Sequence, residues 1–221
     1  GPIRSKPPVP RPAPPPARHP VPAGAADRSL LLLGASTGGT EALVEVMRCL
    51  PSGIPPLLVV QHLPPLFTHS FAERLDQICP FDVGEAKGGE VLRPGAAWIA
   101  PGGYHLALRG TGRLIRTELL GTPPVWHQRP AVDVLFESAA SISGRQTIAG
   151  LLTGMGKDGA AGLLSLRRNG AVTFAQDAAS CVVYGMPRAA FESGAAACQV
   201  PLHRIADHIC EQMIVMQKQS V

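Results

Sequence analysis

From residue 29 onward, short runs of uninterrupted apolar residues alternate with segments whose apolar positions recur every three or four residues. A run such as Leu30–Leu33 or Leu57–Val60 has no polar face to offer water, so as a strand it must be buried on both sides. The segments between read as amphipathic helices. Leu43, Val46, Met47 and Leu50 stand at i, i+3, i+4 and i+7, with Thr40 as a cap and Pro51 as a stop, which predicts a helix over 40–50. Phe67, Phe71, Leu75 and Ile78 mark the face of a second helix, and Val132, Leu135, Phe136 and Ala139 that of a third. Further helices are predicted over 159–168, ending near Asn169-Gly170, and over Pro187–Glu192. Ile205, Ile209, Met213 and Met216 form the stripe of a closing helix. Other strands fall at Ala96–Ala100, Ile148–Leu152, Ala171–Ala175 and Ala197–Val200. Tyr104–Leu108 and Leu114–Thr117, joined across Arg109-Gly110-Thr111-Gly112, read as an inserted hairpin. This alternation predicts an α/β fold: a doubly wound, mostly parallel sheet with helices on both faces.

Residues 1–27 break the pattern. They hold 10 of the 23 prolines and no hydrophobic period. Proline that dense fixes φ and removes backbone donors, so the expectation is an extended, disordered linker ahead of a folded domain over 28–221. Gly1-Pro2 has the composition of a cleaved-tag remnant. Arg4, Lys6, Arg11 and Arg18 against Asp27 account for three of the four formal positive charges, so the folded part is nearly neutral despite a pI near 9.0. No basic face with interleaved aromatics argues for nucleic acid. The five cysteines are odd in number and scattered, without metal-ligand spacing, and read as buried reduced thiols. With no signal peptide and no apolar run near the ~20 residues that span a bilayer, the expectation is a cytoplasmic chain without membrane insertion.

The candidate chemistry begins at Gly34-Ala35-Ser36-Thr37-Gly38-Gly39, directly behind the first apolar run. Glycines permit a sharp strand-to-helix turn, and the helix that follows points its free N–H groups at a hydroxyl presented there. In open α/β sheets ligands bind beyond the carboxyl ends of the strands. Ser36 sits there, as do His62 in Gln61-His62-Leu63-Pro64-Pro65 and Asp158 in Thr153-Gly154-Met155-Gly156-Lys157-Asp158-Gly159. A hydroxyl, an imidazole and a carboxylate on one rim meet the requirement for nucleophilic catalysis, in the chain order Ser, His, Asp rather than the Ser, Asp, His of α/β-hydrolases. Each residue has a plainer role open to it. Ser36 also suits a helix cap or a phosphate ligand, His62 a satisfied histidine under the Pro-Pro turn, and Asp158 a cap on the helix at Gly159. Asp133 and Asp177 compete for the carboxylate's place, and His105 could contact substrate. His69, His127, His203 and His208 look peripheral. Nucleotide binding fits poorly, because the loop is not Gly-x-Gly-x-x-Gly and no Gly-Lys-Ser/Thr occurs.

At these residues the sequence resembles the catalytic domain of the CheB family, chemotaxis protein-glutamate methylesterases, from about Leu30 to Ile209. The resemblance is carried by Gly34–Ala42, Gln61–Pro65, Ile99–Gly102, Arg129–Phe136, Leu152–Gly162 and Ala179–Pro187, all in the family's order. It implies a serine hydrolase that removes methyl groups from glutamate γ-methyl esters of chemoreceptors, releasing methanol, and deamidates particular receptor glutamines. It further implies Ser36 as nucleophile, His62 as general base, Asp158 as its orienting partner, and the backbone N–H groups of Thr37 and Met155 at the oxyanion. Neither cofactor nor metal is expected. The implied partners are the cytoplasmic helices of methyl-accepting chemoreceptors and an N-terminal receiver domain phosphorylated by the chemotaxis histidine kinase. Residues 1–27 read as the linker that would follow that receiver; without the domain covering the site, constitutive activity is expected. Trp126-His127-Gln128 stands where the family more often has Asn-Arg-His.

Overall fold

The computed structural model describes residues 29–111, 114–143 and 146–218; the expected linker over 1–27 lies outside the described residues. Nine strands are β1 (Leu30–Ala35), β2 (Leu57–Gln61), β3 (Asp82–Glu85), β4 (Ala96–Ile99), β5 (His105–Arg109), β6 (Arg116–Leu120), β7 (Thr147–Leu151), β8 (Val172–Gln176) and β9 (Cys198–Val200). The helices are α1 (Gly39–Cys49), α2 (Pro65–Ile78), α3 (Val132–Ser143), α4 (Ala160–Arg168), α5 (Met186–Glu192) and α6 (Ile205–Lys218). Seven strands form one sheet in the order β3-β4-β2-β1-β7-β8-β9, every neighbouring pair parallel. The inserted hairpin, β5 with β6, is a separate antiparallel pair packed on α3.

The period-two geometry of a strand sorts the apolar runs into two layers. Leu31, Leu33, Leu57 and Val59 face α1, α2 and α6, whereas Leu30, Leu32, Leu58 and Val60 face α3, α4, α5 and the hairpin. All of these leucines are buried, each contributing about 1.5–3 kcal/mol relative to exposure. Runs without a polar face are thus explained by helices on both sides.

The topology also locates a site. The chain builds outward from β1 through β2 and β4, then returns to the other side of β1 as β7. At such a reversal the connections leave the carboxyl ends of β1 and β7 in opposite directions and open a crevice between them. The Ser36 loop follows β1 and the Thr153–Gly159 loop follows β7.

Four local expectations are corrected. Thr40 does not cap α1: the helix starts at Gly39 behind Gly38, whose φ of 78° gives the turn, with no side-chain cap. Phe67 is 56% exposed, because α2 instead buries Thr68, Phe71, Ala72 and Leu75. The edge strand β3 was missed, since its pattern Asp-Val-Gly-Glu has a single apolar residue and it forms on the free edge of β4. The cysteines are free, but Cys49 is exposed and only Cys79 and Cys210 are buried. Among the described residues no helix is long and apolar enough to cross a membrane.

Gly150 in β7 faces the ring of Phe174, where an added Cβ would lie 2.2 Å from Cζ. Gly150→Ala should therefore destabilise the fold by about 1–3 kcal/mol through overpacking, seen as a lower urea midpoint at an unchanged slope.

Candidate active site

Ser36 and His62 begin where the adjacent strands β1 and β2 end. The register pairs Ala35 with Gln61, and the His62 N–H donates to the Ala35 carbonyl at 3.1 Å. The serine loop is closed by short bonds: Gly39 N–H to Ser36 O at 2.7 Å and Ser36 N–H to Thr153 O at 3.0 Å. Gln61, buried at the end of β2, donates from Nε2 to the Ser36 carbonyl at 2.9 Å and to the His62 carbonyl at 3.2 Å. A Cβ on Gly39 would meet the Gln61 Oε1 at 2.1 Å, so glycine there is what lets helix α1 start against β2.

On the other side of the crevice, Thr153 and Gln176 hold the loop after β7. Thr153 Oγ1 donates to Thr37 O at 2.9 Å and accepts from Val183 N–H at 2.9 Å; Thr153 N–H donates to Gln176 Oε1 at 2.8 Å. A Cβ on Gly154 would lie 2.7 Å from the Ser36 Cβ, which puts the two loops in direct contact. Thr37 and Met155 follow at exposed positions on these loops, and neither backbone N–H donates to an acceptor among the described residues. Unpartnered N–H groups on two touching loops beside a helix N-terminus can receive an anion.

Asp158 joins the two halves. Its Oδ2 lies 2.8 Å from His62 Nε2, with the side chains only 5% and 2% exposed for His62 and Asp158. The same carboxylate caps α3, accepting from Val132 N–H at 2.7 Å and Asp133 N–H at 2.9 Å. Capping was one of the alternatives weighed for Asp158, and it holds, but for α3 rather than for the following helix. A carboxylate already receiving two N–H donors acts toward the ring as an acceptor, so Nε2 carries the proton. The other ring nitrogen, Nδ1, is buried without a hydrogen-bond partner.

The competing residues have other tasks. Asp133 accepts from Gly162 N–H at 2.8 Å and from Trp126 Nε1 at 2.8 Å, which ties α4 and the 126 loop to α3. Burial pushes its carboxyl up, with the Asp158 charge adding, while the Gly162, Trp126 and Gly159 donors oppose. Asp177 accepts from Ser180 N–H at 3.0 Å and stays in its own turn. His105 is fully buried and cannot contact substrate. Its Nδ1 accepts from Ala131 N–H at 3.1 Å and its Nε2 reaches Pro123 O at 3.1 Å. Cys181 is no rival nucleophile, because burial and the Asp177 charge push its thiol up to about 11. Among the described residues no group of three His, Cys, Asp or Glu could hold a metal ion.

The 126 loop is strained. Val125 and Gln128 exchange N–H···O bonds of 3.0 and 2.8 Å around Trp126 at φ 52° and His127 at φ 61°. Two left-handed residues in a two-residue connection make a type I′ turn, which favours Asn and Gly and costs other residues about 1–2 kcal/mol each. The Trp126 indole compensates through its bond to Asp133 and through Lys157, whose Nζ lies 4.2 Å from the ring centroid.

A family profile described as CheB methylesterase matches residues 31–209. The chain belongs to the CheB methylesterase family. It is 53% identical over 185 residues to protein-glutamate methylesterase/protein-glutamine glutaminase 1 of Dechloromonas aromatica, covering 83% of this chain and 53% of the relative. Against protein-glutamate methylesterase/protein-glutamine glutaminase 2 of Pseudomonas aeruginosa it is 50% identical over 201 residues, covering 91% and 57%. The crystal structure of the Thermotoga maritima CheB methylesterase catalytic domain matches with a TM-score of 0.81 at 39% identity, over 83% of this chain and 98% of that one. The chain spans about half the length of the curated relatives it matches. The structure places Ser36, His62 and Asp158 just beyond the carboxyl ends of β1, β2 and β7.

Sequence reasoning missed the supporting shell of Gln61, Thr153 and Gln176. The available signal was a polar residue at, or just beyond, the carboxyl end of each of three strands. It also missed the type I′ turn, since Trp-His carries no turn signature.

Asp158→Ala would leave two helix N–H groups and His62 without their acceptor, and should cost about 1–3 kcal/mol, lowering the melting temperature by several degrees. Ser36→Ala, which removes a side chain with no bond in this network, should melt within about a degree of the unaltered chain.

Proposed function

We propose that this chain is a serine hydrolase that removes methyl groups from glutamate γ-methyl esters of chemoreceptors and converts particular receptor glutamines to glutamate. The observation that carries the reading is His62. Bonded to Asp158 through Nε2, it keeps Nδ1 buried and unpaired at the end of the strand beside Ser36. A general base needs such a nitrogen: oriented from behind, desolvated, and free in front.

In the proposed sequence the Ser36 hydroxyl adds to the side-chain carbonyl while His62 Nδ1 takes its proton. Asp158 holds the ring and balances the imidazolium. The oxyanion of the tetrahedral intermediate is received by the N–H groups of Thr37 and Met155, which reach it from the two touching loops at no cost of rearrangement. His62 returns the proton to the departing methoxide, giving methanol, or to the departing nitrogen of a glutamine, giving ammonia. Water, activated by the same nitrogen, then cleaves the γ-glutamyl ester of Ser36 and restores the hydroxyl.

The roles of Ser36, His62, Asp158, Thr37 and Met155, and a cytoplasmic place of action on receptor helices, follow from the resemblance and are supported by this arrangement. The further length of the relatives leaves room for the phosphorylated receiver domain that the resemblance implies as a regulatory partner.

Methanol release from a methylated chemoreceptor cytoplasmic fragment tests the reading. Ser36→Ala should lower turnover by on the order of 10⁴ or more with folding intact, because triad residues act as a unit. No methanol above background from either protein would make the chain a docking module instead, and equal release by the two would exclude Ser36 as the nucleophile.

A further inference from the structure

The turn at Trp126 and His127 has no local reason to carry those residues. A type I′ turn prefers side chains that tolerate φ > 0, and a bulky aromatic there is an outlier that only its surroundings maintain. Those surroundings are specific. The pyrrole edge of the indole is drawn inward by the Nε1 bond to buried Asp133, and Lys157 places its ammonium over the ring. Yet Trp126 remains 47% exposed. Both contacts lead straight to the reacting groups: the N–H of Asp133 donates to Asp158, and Lys157 adjoins Asp158 in the chain. An aromatic side chain held in a strained turn, fixed at two points and still turned to solvent beside the site, is built to meet something from outside.

We propose that Trp126, with Lys157 across its ring, is a specificity-determining residue that binds the polypeptide carrying the scissile group rather than the group itself. The inference rests on the hydrolase reading of Ser36, His62 and Asp158. The occupant is an acidic segment. Each turnover of the proposed reaction leaves a free carboxylate, so a polypeptide with several such glutamates carries negative charge. Lys157, exposed and resting on a ring face, supplies the complementary positive charge, and the indole supplies apolar area of the kind that dominates protein contacts. Met155 and Val182, also strongly exposed, stand on the loops after β7 and β8.

A contact to the carrier is made equally in the bound complex and the transition state, so its loss raises KM and spares kcat. With the methylated chemoreceptor fragment as substrate, Trp126→Asn, whose side chain suits the left-handed backbone, should raise KM about tenfold and leave kcat within about twofold. Trp126→Phe, which restores a ring for Lys157 but not the Asp133 bond, should recover most of that KM. Lys157→Met should raise KM and flatten its dependence on salt. An unchanged KM in Trp126→Asn overturns the inference, and so does a fall in kcat at constant KM, which would make the indole a prop for Asp133 and Asp158. If the unaltered chain releases no methanol, the hydrolase reading fails first and takes this inference with it.

Discussion

The carboxylate of Asp158 is the junction on which the site depends. It closes the N-terminus of α3 with two main-chain N–H bonds and holds His62 with a third. An uncapped helix end buried in a protein is costly, so the fold itself requires an acceptor at this point. Once the acceptor is a carboxylate, its remaining capacity can orient an imidazole. Stability and chemistry therefore draw on the same two oxygens, and the geometry of one enforces that of the other. Asp133 repeats the device one step on. Its N–H serves Asp158 while its own carboxylate receives Gly162 at the start of α4. The two helices are thus locked head to head by reciprocal caps.

Around this junction the sheet acts as a rigid frame. Gly34 allows α3 to settle onto β1, since a Cβ there would lie 2.5 Å from a Val132 methyl carbon. That close approach sets the first turn of α3 within reach of the loop after β7. The crevice at the strand reversal then brings together the two loops whose N–H groups at Thr37 and Met155 have no acceptor among the described residues. Among the described residues other than glycine, positive φ is confined to Trp126 and His127, outside the Asp158–His62 pair.

Much of this was legible along the chain. Apolar runs and three-to-four spacing gave the helices and all but one strand, because burial on two faces leaves an unmistakable pattern. β3 escaped because an edge strand with one inward residue has no such pattern. Phe67 was misread because helical spacing says which residues share a face, not which of them the neighbouring strand covers. Thr40 was misread as a cap because a glycine in a left-handed turn can start a helix without a side chain. The candidate residues Ser36, His62 and Asp158 were visible from their positions after strands. The roles of Asp133, Asp177 and His105 were not, since three aspartates and several histidines are chemically alike until their partners are known.

The sequence by itself determined the layered α/β architecture, the rim on which chemistry should lie, and the family. These follow from local periodicity, turn chemistry and long matching motifs, which are properties of neighbouring residues. Only the tertiary structure decided which carboxylate reaches the imidazole, which ring nitrogen stays free, and that Trp126 stands in a strained turn under Lys157. Those facts depend on contacts between residues separated by up to 96 positions, and on the strand order that brings them together, neither of which a linear pattern encodes.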